Sequence, residues 1–268
     1  GLPGRQDRGP AIRRAQQSHR RRAPAGAGPY LATMRPTLPE PFLCLVTDRK
    51  AGDEGTLVHR AAAAVAGGVD MVQLREKDLP GSRLLSLAAS LKDAVGSRAL
   101  LIINERADVA MAAGADGVQL PEDALPVAAV RRIMGPRALI GRSVHSEEGA
   151  ARAVAEGADF LIVGTMYATR SHPAAAPTGP GLVRSIAKLL EERAASVPLI
   201  GIGGITADNL GEVIRAGAGG VAVISSILAS PDPKGEARRL KQAILNAWEP
   251  MPSWQRVGAV REPPHGKV

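Results

Sequence analysis

Gly67-Gly68-Val69-Asp70-Met71-Val72-Gln73-Leu74-Arg75-Glu76-Lys77 is the stretch on which the fold turns. Its first half reads as the end of a helix followed by a buried strand. Its second half places an amide, a cation, an acid and a second cation at the strand's exit. Side chains alternate faces along a strand, so Gln73, Arg75 and Lys77 point one way, and Leu74 and Glu76 the other. Two cations and an amide on one face at a strand's C-terminal end can hold a phosphorylated ligand. On these residues alone, a solvated strand end with ordinary surface charges explains them equally well.

Outward from this stretch the chain repeats the same grammar. Apolar runs of strand length fall at residues 42–46, 71–74, 100–103, 117–120, 138–141, 160–163, 199–202 and 220–224. Ala- and Leu-rich stretches of helical spacing fill the gaps, and two more helices are predicted over 208–216, capped by Asp208, and over 233–247. Strands alternating with helices form a parallel sheet. Eight such units in about 200 residues match a closed barrel, so the expectation is a single α/β domain, a (β/α)8 TIM barrel, over residues 39–248. An echo supports closure. Gly67-Gly68-Val69-Asp70, Gly114-Ala115-Asp116-Gly117, Gly157-Ala158-Asp159 and Gly217-Ala218-Gly219-Gly220 precede the second, fourth, sixth and eighth strands. An open doubly wound sheet is the competing architecture. It usually carries a Gly-rich phosphate loop after its first strand, where this chain has Thr47-Asp48-Arg49.

Composition sets further bounds. Hydrophobic residues make up 45% of the 268 and aromatics 2%, which predicts an aliphatic core. No run of about 20 uncharged apolar residues predicts a membrane span. Of the net charge of +8, residues 1–34 contribute +6, from seven arginines against Asp7 alone. The basic balance therefore belongs to the tail and argues for no nucleic-acid partner. Residues 1–38, rich in Arg, Pro and Gly, are expected to be disordered, with Met34 as the natural start, and residues 249–268 form a second disordered, Pro-containing tail. Trp254 in that tail has no explanation. Cys44 is the only cysteine, so no disulfide within the chain and no thiolate metal cluster is available. That suits a cytoplasmic protein, with Cys44 itself a buried small side chain. A homo-oligomer is compatible with the sequence.

Barrel enzymes collect their chemistry at the C-terminal strand ends. Those ends supply Gln73, Arg75 and Lys77, then Asn104 and Glu105, then Glu122 and Asp123. Beyond them come Arg142, Ser143 and His145, then Thr165, Thr169, Arg170, Ser171 and His172. Gly201-Ile202-Gly203-Gly204-Ile205-Thr206, with Ser225-Ser226, reads as a phosphate cradle: glycines let backbone N–H groups approach an anion, and barrels bind phosphate with the loops after strands seven and eight. Glu105 and Asp123 are hard oxygen donors suited to Mg²⁺ together with substrate phosphates, or else two solvated loop acids. His145 is the best-placed acid/base candidate and equally a plain hydrogen-bonding group.

Taken in order, Gln73-Leu74-Arg75-Glu76-Lys77, Ile103-Asn104-Glu105-Arg106, Asp116-Gly117-Val118-Gln119-Leu120 with Asp123, Gly141-Arg142-Ser143-Val144-His145, and Gly201-Ile202-Gly203-Gly204-Ile205-Thr206 with Ile224-Ser225 resemble the thiamine phosphate synthase family and its relatives, the thiazole tautomerases. The resemblance covers roughly residues 42–230. It implies a transferase joining hydroxymethylpyrimidine diphosphate to thiazole phosphate, with small phosphorylated molecules as its partners. Gln73, Arg75, Lys77 and Asn104 would hold the pyrimidine diphosphate, with Ser143 beside it and Glu105 and Asp123 at the magnesium positions. Thr169 and Ser171 would lie near the thiazole phosphate, with Gly204, Ile224 and Ser225 as its cradle. Arg75, Lys77, Ser143 and His145 are the expected catalytic groups.

Two positions depart from the family pattern. Glu105 stands where an aspartate is usual, and His172 where a lysine is usual. They keep a tautomerase reading open, in which His145 moves a proton. The intact set of Gln73, Arg75, Lys77, Asn104 and Asp123 favours the synthase, since a tautomerase has no need of it. A non-catalytic sensor of thiazole phosphate is the third reading.

Overall fold

The computed structural model describes residues 35–51, 54–169 and 176–248. Ser171, His172, Trp254 and the two tail segments 1–34 and 249–268 lie outside them.

Each apolar run forms a short strand, and each Ala- and Leu-rich stretch a helix over it. The first half runs β1 (Phe42–Val46), α1 (Leu57–Ala66), β2 (Met71–Leu74), α2 (Gly81–Val95), β3 (Leu100–Asn104), α3 (Ala107–Ala113), β4 (Gly117–Leu120) and α4 (Val127–Met134). The second half runs β5 (Leu139–Val144), α5 (Glu147–Ala155), β6 (Phe160–Val163), α6 (Gly179–Glu192), β7 (Leu199–Ile202), α7 (Leu210–Arg215), β8 (Gly220–Val223), α8 (Ser225–Leu228) and α9 (Pro233–Trp248). The strands form a closed barrel in chain order, all pairs parallel, with β8 returning to β1 through Phe42 opposite Gly220. The (β/α)8 expectation is met. No helix among the described residues is long and apolar enough to cross a membrane.

Alternation divides the core in two. Leu43, Leu45, Val72, Leu74, Leu101 and Ile103 face the helices. Phe42, Cys44, Val46, Met71, Ile102, Leu139, Phe160, Ile162, Ile200 and Ala222 face inward and fill the barrel. Cys44 is fully buried, which pushes its thiol pKa up and leaves it unsuited to nucleophilic work. The interior is not wholly aliphatic, as low aromatic content had implied. Both phenylalanines of the chain, Phe42 and Phe160, are fully buried inside the barrel. Glycines make the room: a Cβ at Gly220 would come 2.9 Å from the Phe42 ring, and one at Gly141 2.2 Å from the Phe160 ring.

The echo before the even strands has a physical purpose. Asp70 Oδ2 accepts from Leu43 N at 2.8 Å and Lys241 Nζ at 2.7 Å. Asp116 Oδ2 accepts from Leu101 N and Lys92 Nζ, both at 2.7 Å. Asp159 Oδ2 accepts from Ile140 N at 2.7 Å and Arg131 at 2.5 Å. Each aspartate thus ties an even strand to the first N–H groups of the odd strand before it and is neutralised by a cation. The fourth repeat has Gly219 in place of aspartate, and the Glu40 carboxylate leans into the space, with Oε1 2.4 Å from where a Cβ of residue 219 would sit. The chain is already packed before residue 39: Leu38 rests on the inner cluster and Arg35 pairs with Asp159.

Candidate active site

The C-terminal mouth of the barrel opens into a cavity of about 810 Å³. One wall is the opening stretch. Although β2 ends at Leu74, the alternation runs on: Gln73, Arg75 and Lys77 all line the cavity. Glu76 points away and is buried, accepting from Arg49 N and Arg49 Nη1, both at 3.1 Å. Arg49 also grips Asp78, which holds that carboxyl well below the usual range. The acid of the cluster is thus neutralised outside the barrel, and the cations are left to the inside. The Thr47 hydroxyl, fully buried, accepts from Arg75 N at 2.9 Å and fixes the strand exit. Lys77 is exposed and has no ion pair among the described residues.

Asn104 lines the next part of the wall, its Oδ1 accepting from Gln73 Nε2 at 3.2 Å. Asp123 lines it from the loop after β4, and Ser143 and His145 from the end of β5. Glu105 is exposed and outside the cavity lining, with φ of 64°, a left-handed conformation uncommon for a residue with a side chain. Among the described residues, neither Glu105 nor Asp123 has a side-chain hydrogen bond or ion pair. Hard, unengaged carboxylates on neighbouring strand ends fit the donor chemistry of Mg²⁺, which takes one or two carboxylates and completes its shell with water and phosphate. Arg142, named from sequence among the strand-end cations, faces outward instead, donating to Leu125 O at 2.8 Å.

Two partners were not legible as such. Glu122 Oε2 lies 2.6 Å from His145 Nδ1, so the ring's other nitrogen is left for the cavity. Gln119, at an inward position of β4, donates from Nε2 to Ser143 Oγ at 3.0 Å.

The opposite wall is the glycine turn. Gly203 and Gly204 have φ of 105° and 62°, and a Cβ on them would come 2.5 Å from Thr165 Cγ2 and 2.6 Å from Ala168 O. Only glycine fits both the conformation and the space. The helix predicted to start at Asp208 starts at Leu210. Asn209 is needed elsewhere: its Nδ2 donates to Gly204 O at 3.0 Å and its Oδ1 accepts from Thr206 N at 2.8 Å, which pins the turn. Ser226 Oγ holds Ile205 O at 2.8 Å. Gly204, Ile224 and Ser225 line the cavity with Thr165 and Thr169. The expected partners of Thr169, Ser171 and His172, lie outside the described residues. Between the walls, Val46, Ile162, Ile202 and Ala222 make an apolar floor.

A closed parallel barrel with cations, amides and a glycine turn gathered at its C-terminal mouth defines a (β/α)8-barrel enzyme. The model of the family described as thiamine monophosphate synthase matches residues 43–227. A thiamine-phosphate synthase of Methanoculleus marisnigri is 49% identical over 207 residues, spanning 76% of this chain and 96% of the relative. One from Mycobacterium sp. (strain JLS) is 42% identical over 226 residues, 81% and 98% of the two chains. Among solved structures, thiamine phosphate pyrophosphorylase from Pyrococcus furiosus superposes with a TM-score of 0.69 at 31% identity, covering 77% of this chain and 96% of that one. The chain belongs to the thiamine monophosphate synthase family. Its class is transferase, and the isomerase alternative is not needed to account for it.

Proposed function

We infer that this chain joins hydroxymethylpyrimidine diphosphate to thiazole phosphate, releasing pyrophosphate and forming thiamine phosphate. The observation that carries the reading is one cavity with cationic and amide side chains on one wall and a glycine turn on the other. Arg75, Lys77, Asn104 and Ser143 stand on one side, and the Gly203-Gly204 turn with Ser225 on the other. Two phosphorylated substrates need two such walls.

On this reading the C–O bond to the diphosphate breaks first and its electron pair leaves with pyrophosphate. The pyrimidine methylene cation is then captured by the thiazole nitrogen lone pair, which forms the C–N bond. Arg75 and Lys77, with donors from Asn104 and Ser143, meet the charge that develops on the departing group, where preorganised electrostatics lower a barrier most. The apolar floor keeps water from the cation. Glu105 and Asp123 would hold Mg²⁺, which supplies further neutralisation of the diphosphate. The thiazole phosphate would rest on the backbone N–H groups of the glycine turn and on those of Ser225 and Ser226 at the start of α8. Thr169, Ser171 and His172 belong to that side by family resemblance. His145, oriented by Glu122, is the candidate for hydrogen-bond or proton traffic at the cavity wall. A cytoplasmic location fits the single, buried, unpaired thiol.

The test is turnover. Purified protein with both substrates and Mg²⁺ is expected to yield thiamine phosphate and pyrophosphate, detected by chromatography. Intact substrates after prolonged incubation with a folded protein would refute the reading.

A further inference from the structure

Gln119 is 1% exposed and is not among the residues that line the cavity. Its amide is nevertheless held in one orientation. Nε2 lies 3.3 Å from Leu120 O and 3.0 Å from Ser143 Oγ. Turning the amide over would set Oε1 against the Leu120 carbonyl, acceptor against acceptor. The backbone therefore makes Nε2 the group that faces Ser143. A serine hydroxyl has one proton. Because Oγ accepts from Gln119, that proton is free to leave in another direction, and Ser143 lines the cavity.

We propose that Gln119 is a positioning residue that makes Ser143 a hydrogen-bond donor to an anionic oxygen of the substrate. Two further features support this. Gln119 Oε1 is buried without a hydrogen-bond partner, an arrangement that costs stability and that an apolar residue of the same size would avoid. Gly141 supplies the space the amide needs, since a Cβ there would sit 2.1 Å from Gln119 Oε1. The same device recurs two strands earlier. Gln73 Nε2 donates to Asn104 Oδ1, Gln73 Oε1 is likewise buried without a partner, and the Asn104 amide is left to donate. Val72-Gln73-Leu74 and Val118-Gln119-Leu120 are one tripeptide used twice.

The inference rests on the functional reading above, in which Ser143 meets the diphosphate. The experiment compares wild type, Gln119→Met, Ser143→Ala and the double variant. It reads KM for each substrate, kcat, and calorimetric binding of inorganic pyrophosphate with Mg²⁺. Gln119→Met is expected to lower kcat/KM for the diphosphate substrate about tenfold, the order of one hydrogen bond to a charged group, and to weaken pyrophosphate binding similarly. KM for the thiazole phosphate should hold. The double variant should be no worse than Ser143→Ala, because Gln119 acts only through the hydroxyl. Losses that multiply in the double variant, or that fall equally on both substrates, would overturn the proposal and leave a packing role. If Gln119→Met does not fold, isosteric Gln119→Glu carries the same comparison: its carboxylate accepts the serine proton and turns the donor inward. Wild-type protein that neither turns over nor binds pyrophosphate would instead sink the functional reading itself.

Discussion

Replacing Glu40 by Gln should stabilise the protein at alkaline pH and do almost nothing near pH 4.5. Glu40 fills the place where the repeat at the barrel's lower end would have put an aspartate, but without that aspartate's partners. Asp70, Asp116 and Asp159 each receive a backbone N–H and a cation. Among the described residues Glu40 has no cation, and its buried Oε1 has no hydrogen-bond partner. Burial pushes its pKa up from an ordinary 4.5 to about 7. Between those values the folded protein keeps a proton that the unfolded chain has lost, so stability falls as pH rises from about 4.5 to about 7, then levels. At full ionisation a displacement of that size corresponds to about 3 kcal/mol. Glu40 is only partly buried, so water screens the charge and about 1–2 kcal/mol is the better expectation. In a domain of this size that moves Tm by roughly 2–8 °C. Thermal unfolding of wild type and Glu40→Gln at constant ionic strength, from pH 4.5 to 8.5, measures it. The two curves should converge in acid and separate with rising pH, the variant above. Parallel curves would show that the carboxylate finds a partner or full solvation, and would refute the account.

Other consequences are local to the mouth. Glu122→Gln should weaken the hold on His145 while keeping its size. It should lower kcat/KM by less than His145→Ala does, and a Glu122→Gln rate identical to wild type would make the 2.6 Å contact incidental. Chelating divalent metal should abolish turnover, and Mg²⁺ should restore it. Asp123→Asn should then need at least tenfold more Mg²⁺ for half-maximal rate, and an unchanged requirement would remove Asp123 from the metal site. Arg49→Ala should leave Glu76 without its cation beside the cation wall, Asp78 keeping Lys50, and raise KM for the diphosphate substrate several-fold, read by steady-state kinetics.

Much of this architecture can be read along the chain because parallel barrel strands are short, doubly buried and separated by helices. Residues 71–74, 117–120, 160–163 and 199–202 carry that signal without ambiguity. The apolar run 138–141 stops short of the end of β5, because Arg142 and Ser143 look like a loop, yet both lie within the strand. The alternation of Gln73, Arg75 and Lys77 outlasts β2 because Thr47 and Arg49 hold the strand exit extended. What stayed hidden depends on neighbours across the sheet. Glu122 and His145 are 23 residues apart, and only the adjacency of β4 and β5 brings them together. Gln119 could have been found, since it repeats Gln73 at the same inward position. The two phenylalanines inside the barrel need glycines opposite them on the neighbouring strands, a pairing that no single window of sequence displays.

The central claim is that the two walls hold different substrates, and a crossed kinetic comparison tests it most directly. Lys77→Ala removes a cation from one wall, and Gly204→Ala forces a Cβ to within 2.6 Å of Ala168 O at the other. Lys77→Ala should raise KM for hydroxymethylpyrimidine diphosphate about tenfold and leave KM for thiazole phosphate within a factor of two, while Gly204→Ala should do the reverse. Both variants raising the same KM, or neither changing one substrate apart from the other, would contradict a two-walled site.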